Sequence, residues 1–315
     1  MNSGEGRQVA VIGAGLIGRS WAIVFAAAGW SVRITDPDNV VLDAAPSLIR
    51  QSLTELSEYG LVENPHDAAA RVTTAADMAD AVANATIVQE NGPEDVEVKR
   101  RIFADLDRLS PPEAILASSS SAIPASQFTE GLPGRHRCLV AHPVNPPHLI
   151  PVVELCGAPW TSAEVIATAR EIFADIGQTP VTINSEIEGF VLNRLQGALL
   201  AEAFRLVGDQ IISPQDLDRT VKDGLGLRWS FMGPLQTIDL NAPGGIADYC
   251  KRYTGFYRRL SETPAPPEVW DAPNVERILQ AWGDGHDSDA RASQSAWRNG
   301  RLAALRAHKL AASKG

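Results

Sequence analysis

The chain has few cysteines, no long apolar run and no cluster of basic residues. Its three cysteines, Cys138, Cys156 and Cys250, form no CxxC pair, so the sequence of 315 residues predicts neither a disulfide framework nor a metal site. No uninterrupted apolar stretch contains the roughly 18 to 20 residues that span a bilayer. A net charge of -10, without a run of Lys or Arg, argues against nucleic acid or an anionic membrane as a partner.

The start of the chain leads directly into a strand pattern and lacks the layout of a signal peptide. An odd number of unpaired cysteines is typical of a reducing compartment. We therefore expect a cytoplasmic protein.

Length and hydrophobic pattern predict two domains, because the usual size is roughly 100 to 200 residues per domain. Alternating strand and helix patterns predict a mostly parallel sheet with crossover helices. The strand-like runs cover residues 8–12, 31–35, 85–89, 114–117, 138–141, 152–155 and 180–183. From Gly189 onwards apolar residues recur at helical spacing instead. We predict an α/β domain over residues 1–187 and an all-α domain over residues 188–315.

A glycine-rich turn follows the first strand pattern and opens an amphipathic helix, with the sequence Gly13-Ala14-Gly15-Leu16-Ile17-Gly18. In this context the first glycine permits a tight turn, the second lets the backbone approach a pyrophosphate, and the third lets helix and strand pack. The helix N-terminus adds partial positive charge. The turn, including Leu16 and Ile17, therefore predicts a dinucleotide site in a Rossmann-like domain; a glycine turn without a ligand is the alternative.

Asp36 ends the second strand pattern, where an acid can accept hydrogen bonds from the adenosine ribose hydroxyls. A carboxylate there repels a 2'-phosphate, so NAD is favoured over NADP. Arg33 is close in sequence but points to the other strand face. The alternative is that Asp36 merely starts a turn before Pro37.

His142 and Glu154 each end a strand-like run, and the segment between them is rich in proline. An irregular return of the chain would let the two side chains meet, as a base and the carboxylate that orients it. This segment resembles the pattern of the 3-hydroxyacyl-CoA dehydrogenase superfamily. The pattern consists of a histidine, an Asn-Pro that starts three residues later, here at Asn145, and a glutamate twelve residues after the histidine.

The longer segments HPVNPPHLIPVVEL, EIEGFVLNRLQGALLAEAFRLV and DGLGLRWSFMGPLQTIDLNAPGG are similar to the lambda-crystallin, or L-gulonate 3-dehydrogenase, branch of that superfamily. The similarity extends from about residue 9 to residue 253. It implies an NAD-dependent oxidoreductase whose Rossmann domain precedes a helical substrate and dimerisation domain. A second domain of long apolar helices fits a homodimer.

The resemblance also implies roles for single residues. His142 would accept the hydroxyl proton while Glu154 stabilises its cationic form, and Asn145 would contact the cofactor. A histidine at a strand end can otherwise be an ordinary hydrogen-bonding residue, and a lone glutamate can be a surface charge.

By the same resemblance, Ser121 and Asn193 would bind the substrate and take part in catalysis, and Glu94 and Lys99 would line the ribose side of the cofactor. The alternatives are a flexible serine loop, a structural hydrogen bond of Asn193, and a Glu94–Lys99 pair on a helix surface. His148 has no predicted role.

The sequence HPVNP departs from the HFFNP of fatty acyl-CoA members and puts a CoA thioester in doubt. A free hydroxy acid needs a cation for its carboxylate, and we assign Arg228 to it because a guanidinium binds a carboxylate through two hydrogen bonds. The alternative substrates are a 3-hydroxyacyl-CoA and L-carnitine, whose ammonium group would need an aromatic cage such as Trp229, Phe231 and Tyr253. A non-catalytic, crystallin-like NAD-binding protein is the remaining alternative.

Overall fold

The structure is a computed structural model that describes residues 6–283 and 288–312. The described residues form two compact units. Residues 6–193 and 292–312 make up the first unit, and the described residues between Arg194 and Arg291 make up the second. From the sequence, residues 188–315 were predicted to form the helical domain. By its contacts, however, the described end of the chain belongs to the first unit, because the last helix packs there.

An eight-stranded sheet forms the centre of the first unit, with the strand order β3-β2-β1-β4-β5-β6-β7-β8. All neighbouring strands are parallel except β6 and β7, which are antiparallel. The predicted α/β fold with a mostly parallel sheet is confirmed. The strands are β1 Gln8–Ile12, β2 Ser31–Thr35, β3 Val72–Thr74, β4 Ile87–Glu90, β5 Ile115–Ser118, β6 Cys138–Pro143, β7 Val152–Gly157 and β8 Thr179–Ile183.

Helices cover both faces of this sheet, and several begin at a side chain that caps the first turn. Asp38, Asp95 and Ser162 each accept a hydrogen bond from a backbone amide two or three residues on. These helices are α1 Leu16–Ala27, α2 Asn39–Glu58, α3 Pro65–Ala70, α4 Met78–Val82, α5 Val96–Leu109, α6 Ser126–Thr129 and α7 Ala163–Asp175. A 3-10 turn covers Arg135–Arg137.

The core on one face of the sheet is built around large aromatic side chains. Trp21 and Phe25 of α1 contact Phe173 of α7 at ring-centroid distances of 5.3 and 6.3 Å, and all three are fully buried. On the other face Phe103 packs against Phe128 at 4.7 Å. Burial of such side chains fixes α1, and therefore the glycine turn before it, relative to the strands.

The second unit is helical, and its apolar side chains are mostly exposed. Among its described residues Ala242, Val269 and Pro214 are the buried apolar ones with a side chain, whereas Leu195, Leu235 and Leu240 are about two thirds exposed, at 65 to 66%. Its helices are α8 Leu192–Gly208, which begins in the first unit, α9 Pro214–Arg219, α10 Gly226–Trp229, α11 Pro234–Leu240, α12 Gly245–Ser261 and α13 Ala272–Trp282, with a π-helical segment Thr220–Leu225 and a 3-10 turn Pro267–Trp270.

The last helix, α14 Ser288–Ala312, ends within the first unit. Ala303 is buried in the aromatic core described above, and Gly300 lies so close to Tyr59 that a Cβ would stand 3.0 Å from the phenol oxygen. Within the described residues, no helix combines the length and apolar character that crossing a membrane requires.

Candidate active site

The glycine turn between β1 and α1 has the shape that a pyrophosphate requires. Gly13 has a φ of +94°, and a Cβ on it would stand 2.9 Å from the Asn91 carbonyl oxygen. A Cβ on Gly18 would overlap the carbonyl oxygen of Gly13, whereas a Cβ on Gly15 would meet nothing within 4 Å. Gly15 caps α1 without a side-chain hydrogen bond. The first amides of α1 are therefore free of a side-chain cap, and the space above Gly15 is open, which fits the pyrophosphate of NAD.

The two other turn residues frame this opening. Leu16, the first residue of α1, is 56% exposed, and Ile17 is partly buried against the core. An exposed apolar side chain at the rim of a dinucleotide cradle is suited to packing against a bound cofactor.

Asp36 lies directly beside the glycine turn, at the carboxyl end of β2. One carboxylate oxygen accepts a hydrogen bond from the Ala14 amide at 2.6 Å, and the other accepts from the Asp38 amide at 2.9 Å. Arg33 is turned away and is engaged by Asp80 at 2.5 Å and by Thr73. A carboxylate next to the turn, with no free cation from Arg33, favours NAD over NADP.

His142 and Glu154 meet across the antiparallel pair β6 and β7, where they are direct register partners. Nδ1 of His142 is 2.9 Å from one Glu154 oxygen, and both side chains are buried. The other Glu154 oxygen accepts hydrogen bonds from the amides of Val191 and Leu192, at 3.0 and 2.9 Å, where α8 begins. The carboxylate is thus held at both of its oxygens.

The ionisation of Glu154 determines which ring nitrogen of neutral His142 carries the proton. Burial alone raises the pKa of Glu154, but the His142 hydrogen bond, the Leu192 and Val191 amides and the nearby imidazole together bring its pKa below the usual value. An ionised carboxylate can only accept, so the proton of neutral His142 is on Nδ1. Nε2 is then left as an acceptor, which is the arrangement a general base needs.

Phe190 is a site residue that the sequence analysis missed. Its ring lies 5.5 Å from that of His142, it is fully buried, and its φ of +50° is unusual for a residue with a side chain. The two amides that follow it are those that bind Glu154. Strained backbone of this kind concentrates at functional sites. No local sequence signal marks it, because a phenylalanine after glycine is otherwise ordinary.

Glu94 organises the serine loop that follows β5. One of its oxygens accepts from the Ser120 hydroxyl at 2.6 Å and from the amides of Ser121, Ala122 and Ile123 at 2.9 to 3.3 Å. Burial opposes ionisation, but these donors, together with the charge of Lys99, keep the pKa of Glu94 below its usual value. Glu94 therefore sets the conformation of the loop that carries Ser121, and its contact with a cofactor ribose stays a prediction.

Ser121 and Asn193 are brought together by a hydrogen bond. The Asn193 side-chain amide donates to the Ser121 carbonyl oxygen at 2.7 Å. No described residue hydrogen-bonds to the Ser121 hydroxyl, and Ser121 is exposed. The predicted substrate-binding pair is thus adjacent, and its hydroxyl is available to a ligand.

Lys99 is buried and does not lie on the helix surface. Its ammonium contacts both oxygens of Glu90, at 3.0 and 3.1 Å, and the Ser118 hydroxyl at 3.4 Å, and the residue is 1% exposed. A surface pair with Glu94 does not fit a buried ammonium, because burying a charge demands a partner. Glu90 is that partner. The predicted place of Lys99 on the ribose side of the cofactor stays a prediction. The polar residues Gln89, Glu90 and Asn91 directly follow an apolar strand in the sequence. This pattern could have indicated a buried carboxylate that needs a cation as its partner.

Asn145 and Arg228 are the remaining predicted residues. Asn145 lies in the loop between β6 and β7, is exposed, and has no side-chain hydrogen bond to a described residue. Arg228 is exposed on α10 in the second unit, so its part in substrate binding stays a prediction. The same holds for the aromatic cage of Trp229, Phe231 and Tyr253.

Comparison with known protein families accounts for nearly the whole chain. Residues 8–187 match the NAD-binding domain of 3-hydroxyacyl-CoA dehydrogenase, and residues 189–280 match the C-terminal domain of the same enzyme. With the NAD cradle at the carboxyl ends of a parallel sheet, the protein is an NAD-dependent oxidoreductase. More narrowly, the chain belongs to the 3-hydroxyacyl-CoA dehydrogenase family, as its motifs predict.

Individual relatives are similar over most of their length. A lambda-crystallin homolog from Bos taurus is 43% identical over 96% of this chain and 96% of its own. An L-carnitine dehydrogenase from Streptomyces coelicolor is 35% identical over 84% of this chain and 85% of its own. Among solved structures, 5-formyl-3-hydroxy-2-methylpyridine 4-carboxylic acid 5-dehydrogenase, an NAD+-dependent dismutase, superposes with a TM-score of 0.83 at 29% identity, covering 95% of this chain and 97% of its own. The predicted similarity to the lambda-crystallin branch is confirmed.

Proposed function

We propose that this protein oxidises the 3-hydroxyl of a small free hydroxy acid similar to L-gulonate, giving the 3-keto acid with reduction of NAD. The observation that carries the proposal is the buried pair of His142 and Glu154, in which Nε2 of His142 is left as an acceptor. The glycine turn and Asp36 would hold NAD, which would supply the acceptor for the hydride of the carbinol carbon.

In this mechanism the residues of the chain handle the proton and the substrate oxygen. Nε2 of His142 takes the hydroxyl proton as the C–H bond breaks and the C=O bond forms, and Glu154 stabilises the imidazolium that results. Ser121 and Asn193, joined by a 2.7 Å hydrogen bond, hold the substrate oxygen. In the reverse direction His142 returns the same proton.

A free acid is favoured over a CoA ester for two reasons. The chain reads His142-Pro143-Val144-Asn145-Pro146 where the fatty acyl-CoA enzymes have two phenylalanines, and one relative that matches most of the chain is an L-carnitine dehydrogenase. Another relative, 40% identical over 79% of the chain, is a 3-hydroxyacyl-CoA dehydrogenase from Gibberella moniliformis, so the ester stays an alternative. In our proposal Arg228 binds the substrate carboxylate through its guanidinium.

L-carnitine is the second candidate substrate, supported by the similarity to an L-carnitine dehydrogenase and by a cluster of tyrosines in the second unit. The rings of Tyr249 and Tyr253 lie 4.6 Å apart and are tilted by 39°, and the Tyr249 hydroxyl shares a 2.8 Å hydrogen bond with that of Tyr257. Aromatic faces can bind a trimethylammonium group. A 3-hydroxyacyl-CoA and a non-catalytic, crystallin-like role are the remaining alternatives.

We further propose a cytoplasmic homodimer. The many exposed apolar side chains of the second unit support the dimer, because a small helical unit with so few buried residues lacks a core of its own. All three cysteines are free, which supports a reducing compartment. In gel filtration, elution at the volume of a monomer of 33.7 kDa would contradict the dimer.

The test is NADH formation at 340 nm with NAD and L-gulonate, L-carnitine, 3-hydroxybutyrate or 3-hydroxybutyryl-CoA. We expect turnover of a free acid, and a KM for that acid roughly tenfold higher or more in Arg228→Met because a charge-assisted hydrogen bond is lost. Arg219→Met, an exposed arginine of the same unit, is the matched control. Turnover of the CoA ester alone would assign the protein to the acyl-CoA enzymes, and NAD binding without turnover would support the non-catalytic role.

A further inference from the structure

A second cavity lies in the first unit, apart from the NAD cradle. It is bounded by the second half of α1, the end of α2 and the end of α14, and it has a volume of about 320 Å³. That is at the lower end of the roughly 300 to 1,000 Å³ usual for small-molecule sites. Its walls are mostly apolar, formed by side chains such as Ile23, Leu56 and Ile176.

The polar end of this cavity holds a cation without an acidic partner. Arg306 donates to the carbonyl oxygens of His148, at 2.6 Å, and Gly177, at 3.2 Å, which occupies only part of its five N–H donors. Burial lowers the pKa of Arg306, and no described carboxylate pairs with it. Asp175 lines the same cavity but pairs with Arg7 at 3.6 Å.

His148 stands beside this guanidinium with an unused ring nitrogen. Its Nδ1 is buried and has no hydrogen-bond partner among the described residues. Burial and the charge of Arg306 lower the pKa of His148 to about 4, so the ring is neutral near pH 7 and Nδ1 can carry a proton to donate. A buried ring nitrogen without a partner indicates a missing ligand, and the guanidinium beside it is partly buried and has no described anion.

We propose that this cavity is a second ligand site, for a short straight-chain monocarboxylate. The carboxylate contacts Arg306 and His148, and the aliphatic tail lies along the apolar walls from α1 and α2. A carboxylate matches the planar guanidinium through paired hydrogen bonds, and a tail without polar atoms matches the rest of the lining. The loop between β6 and β7, which carries both His148 and Asn145, is directly in contact with this site.

The test is isothermal titration calorimetry on the full chain with butyrate, hexanoate and octanoate, and with hexanamide as the uncharged control. We expect saturable binding that strengthens about tenfold from butyrate to hexanoate as more apolar surface is buried. Hexanamide should bind roughly tenfold more weakly or worse than hexanoate. Because binding is measured directly, the result does not depend on the proposed reaction.

Single substitutions test whether hexanoate binds in the cavity beside Arg306. Arg306→Met should weaken hexanoate roughly tenfold or more, while Arg301→Met, an exposed arginine of the same helix, should leave it unchanged. Ala27→Leu, which fills the cavity from α1 and keeps Arg306, should also weaken it, and it carries the test if Arg306→Met does not fold. No binding to the intact chain would overturn the proposal. So would binding that Arg228→Met abolishes and Arg306→Met does not change, since hexanoate would then occupy the substrate site.

Discussion

His142 and Glu154 are register partners on the antiparallel strands β6 and β7, and their side chains close a 2.9 Å hydrogen bond within the sheet. This pairing is a property of the backbone, because any two residues at these positions would face each other across the ladder. The antiparallel pairing of β6 and β7, in a sheet whose other strand pairs are parallel, therefore brings the predicted base next to its carboxylate.

Glu154→Gln should change the protonation of His142 without removing the hydrogen bond. One oxygen of residue 154 accepts from two backbone amides, so an amide side chain must turn its NH2 toward Nδ1 and leave the imidazole proton on Nε2. We expect kcat to fall by about 10² or more, with little change in the Kd of NADH. Stopped-flow and fluorescence titrations measure both. A variant with near-normal kcat would show that Glu154 does not orient the base.

Two glycine substitutions should separate folding from cofactor binding. Gly15→Ala adds a methyl group in open space, so the protein should fold normally and bind NADH roughly tenfold more weakly. Gly18→Ala drives a methyl group into the Gly13 carbonyl and should lower the free energy of unfolding by about 2 kcal/mol or more. Urea denaturation and NADH titration of both variants check this. Equal NADH affinity in wild type and Gly15→Ala would contradict the position of the cradle.

Glu94→Ala should disorganise the serine loop, because three loop amides and the Ser120 hydroxyl lose their acceptor. We expect kcat/KM to fall roughly tenfold or more, and Glu94→Gln, which keeps a carbonyl oxygen, to recover most of it. Glu97→Ala, on the exposed side of α5, is the control. If Glu94→Gln were as impaired as Glu94→Ala, the negative charge rather than the loop contacts would be the requirement.

His148 should make the stability of the protein depend on pH. The folded state lowers its pKa from 6.5 to about 4, so the unfolded chain binds more protons between these values. The contribution of neutral His148 to the free energy of unfolding is therefore fully present above pH 6.5 and is lost as the pH falls toward 4. It amounts to at most about 3 kcal/mol. Urea denaturation at several pH values in this range measures how steeply the free energy of unfolding rises with pH. This pH dependence should be weaker in His148→Gln than in wild type, and unchanged in His66→Gln, which alters an exposed histidine. Equal slopes in all three proteins would contradict the assignment.

Much of the fold followed from local pattern. The bounds of β1 and β2 agree with the predicted runs because the first run ends at the glycine turn and the second at Asp36-Pro37. β3 was not predicted, since it has three residues of which two are exposed and therefore shows no alternation. α2 continues through Pro46 to Glu58, as the predicted helical stretch to about Tyr59 required.

The site was predictable where spacing in the sequence reflects it, as for His142 and Glu154. The ion pair of Lys99 with Glu90 was not predicted, because it depends on where β4 ends relative to α5. The contact of Arg306 with His148 joins residues 158 positions apart, so no local pattern could indicate it.

In our proposal His142 is the base in the oxidation of a free hydroxy acid. The most direct test is the rate of NADH formation at 340 nm by wild type and His142→Gln at saturating NAD and acid, with NADH titrations to show that both proteins bind cofactor. We predict that kcat falls by about 10² to 10⁴ in His142→Gln while NADH affinity is kept. A variant that turns over the acid at the wild-type rate, with NADH affinity intact, would contradict the account.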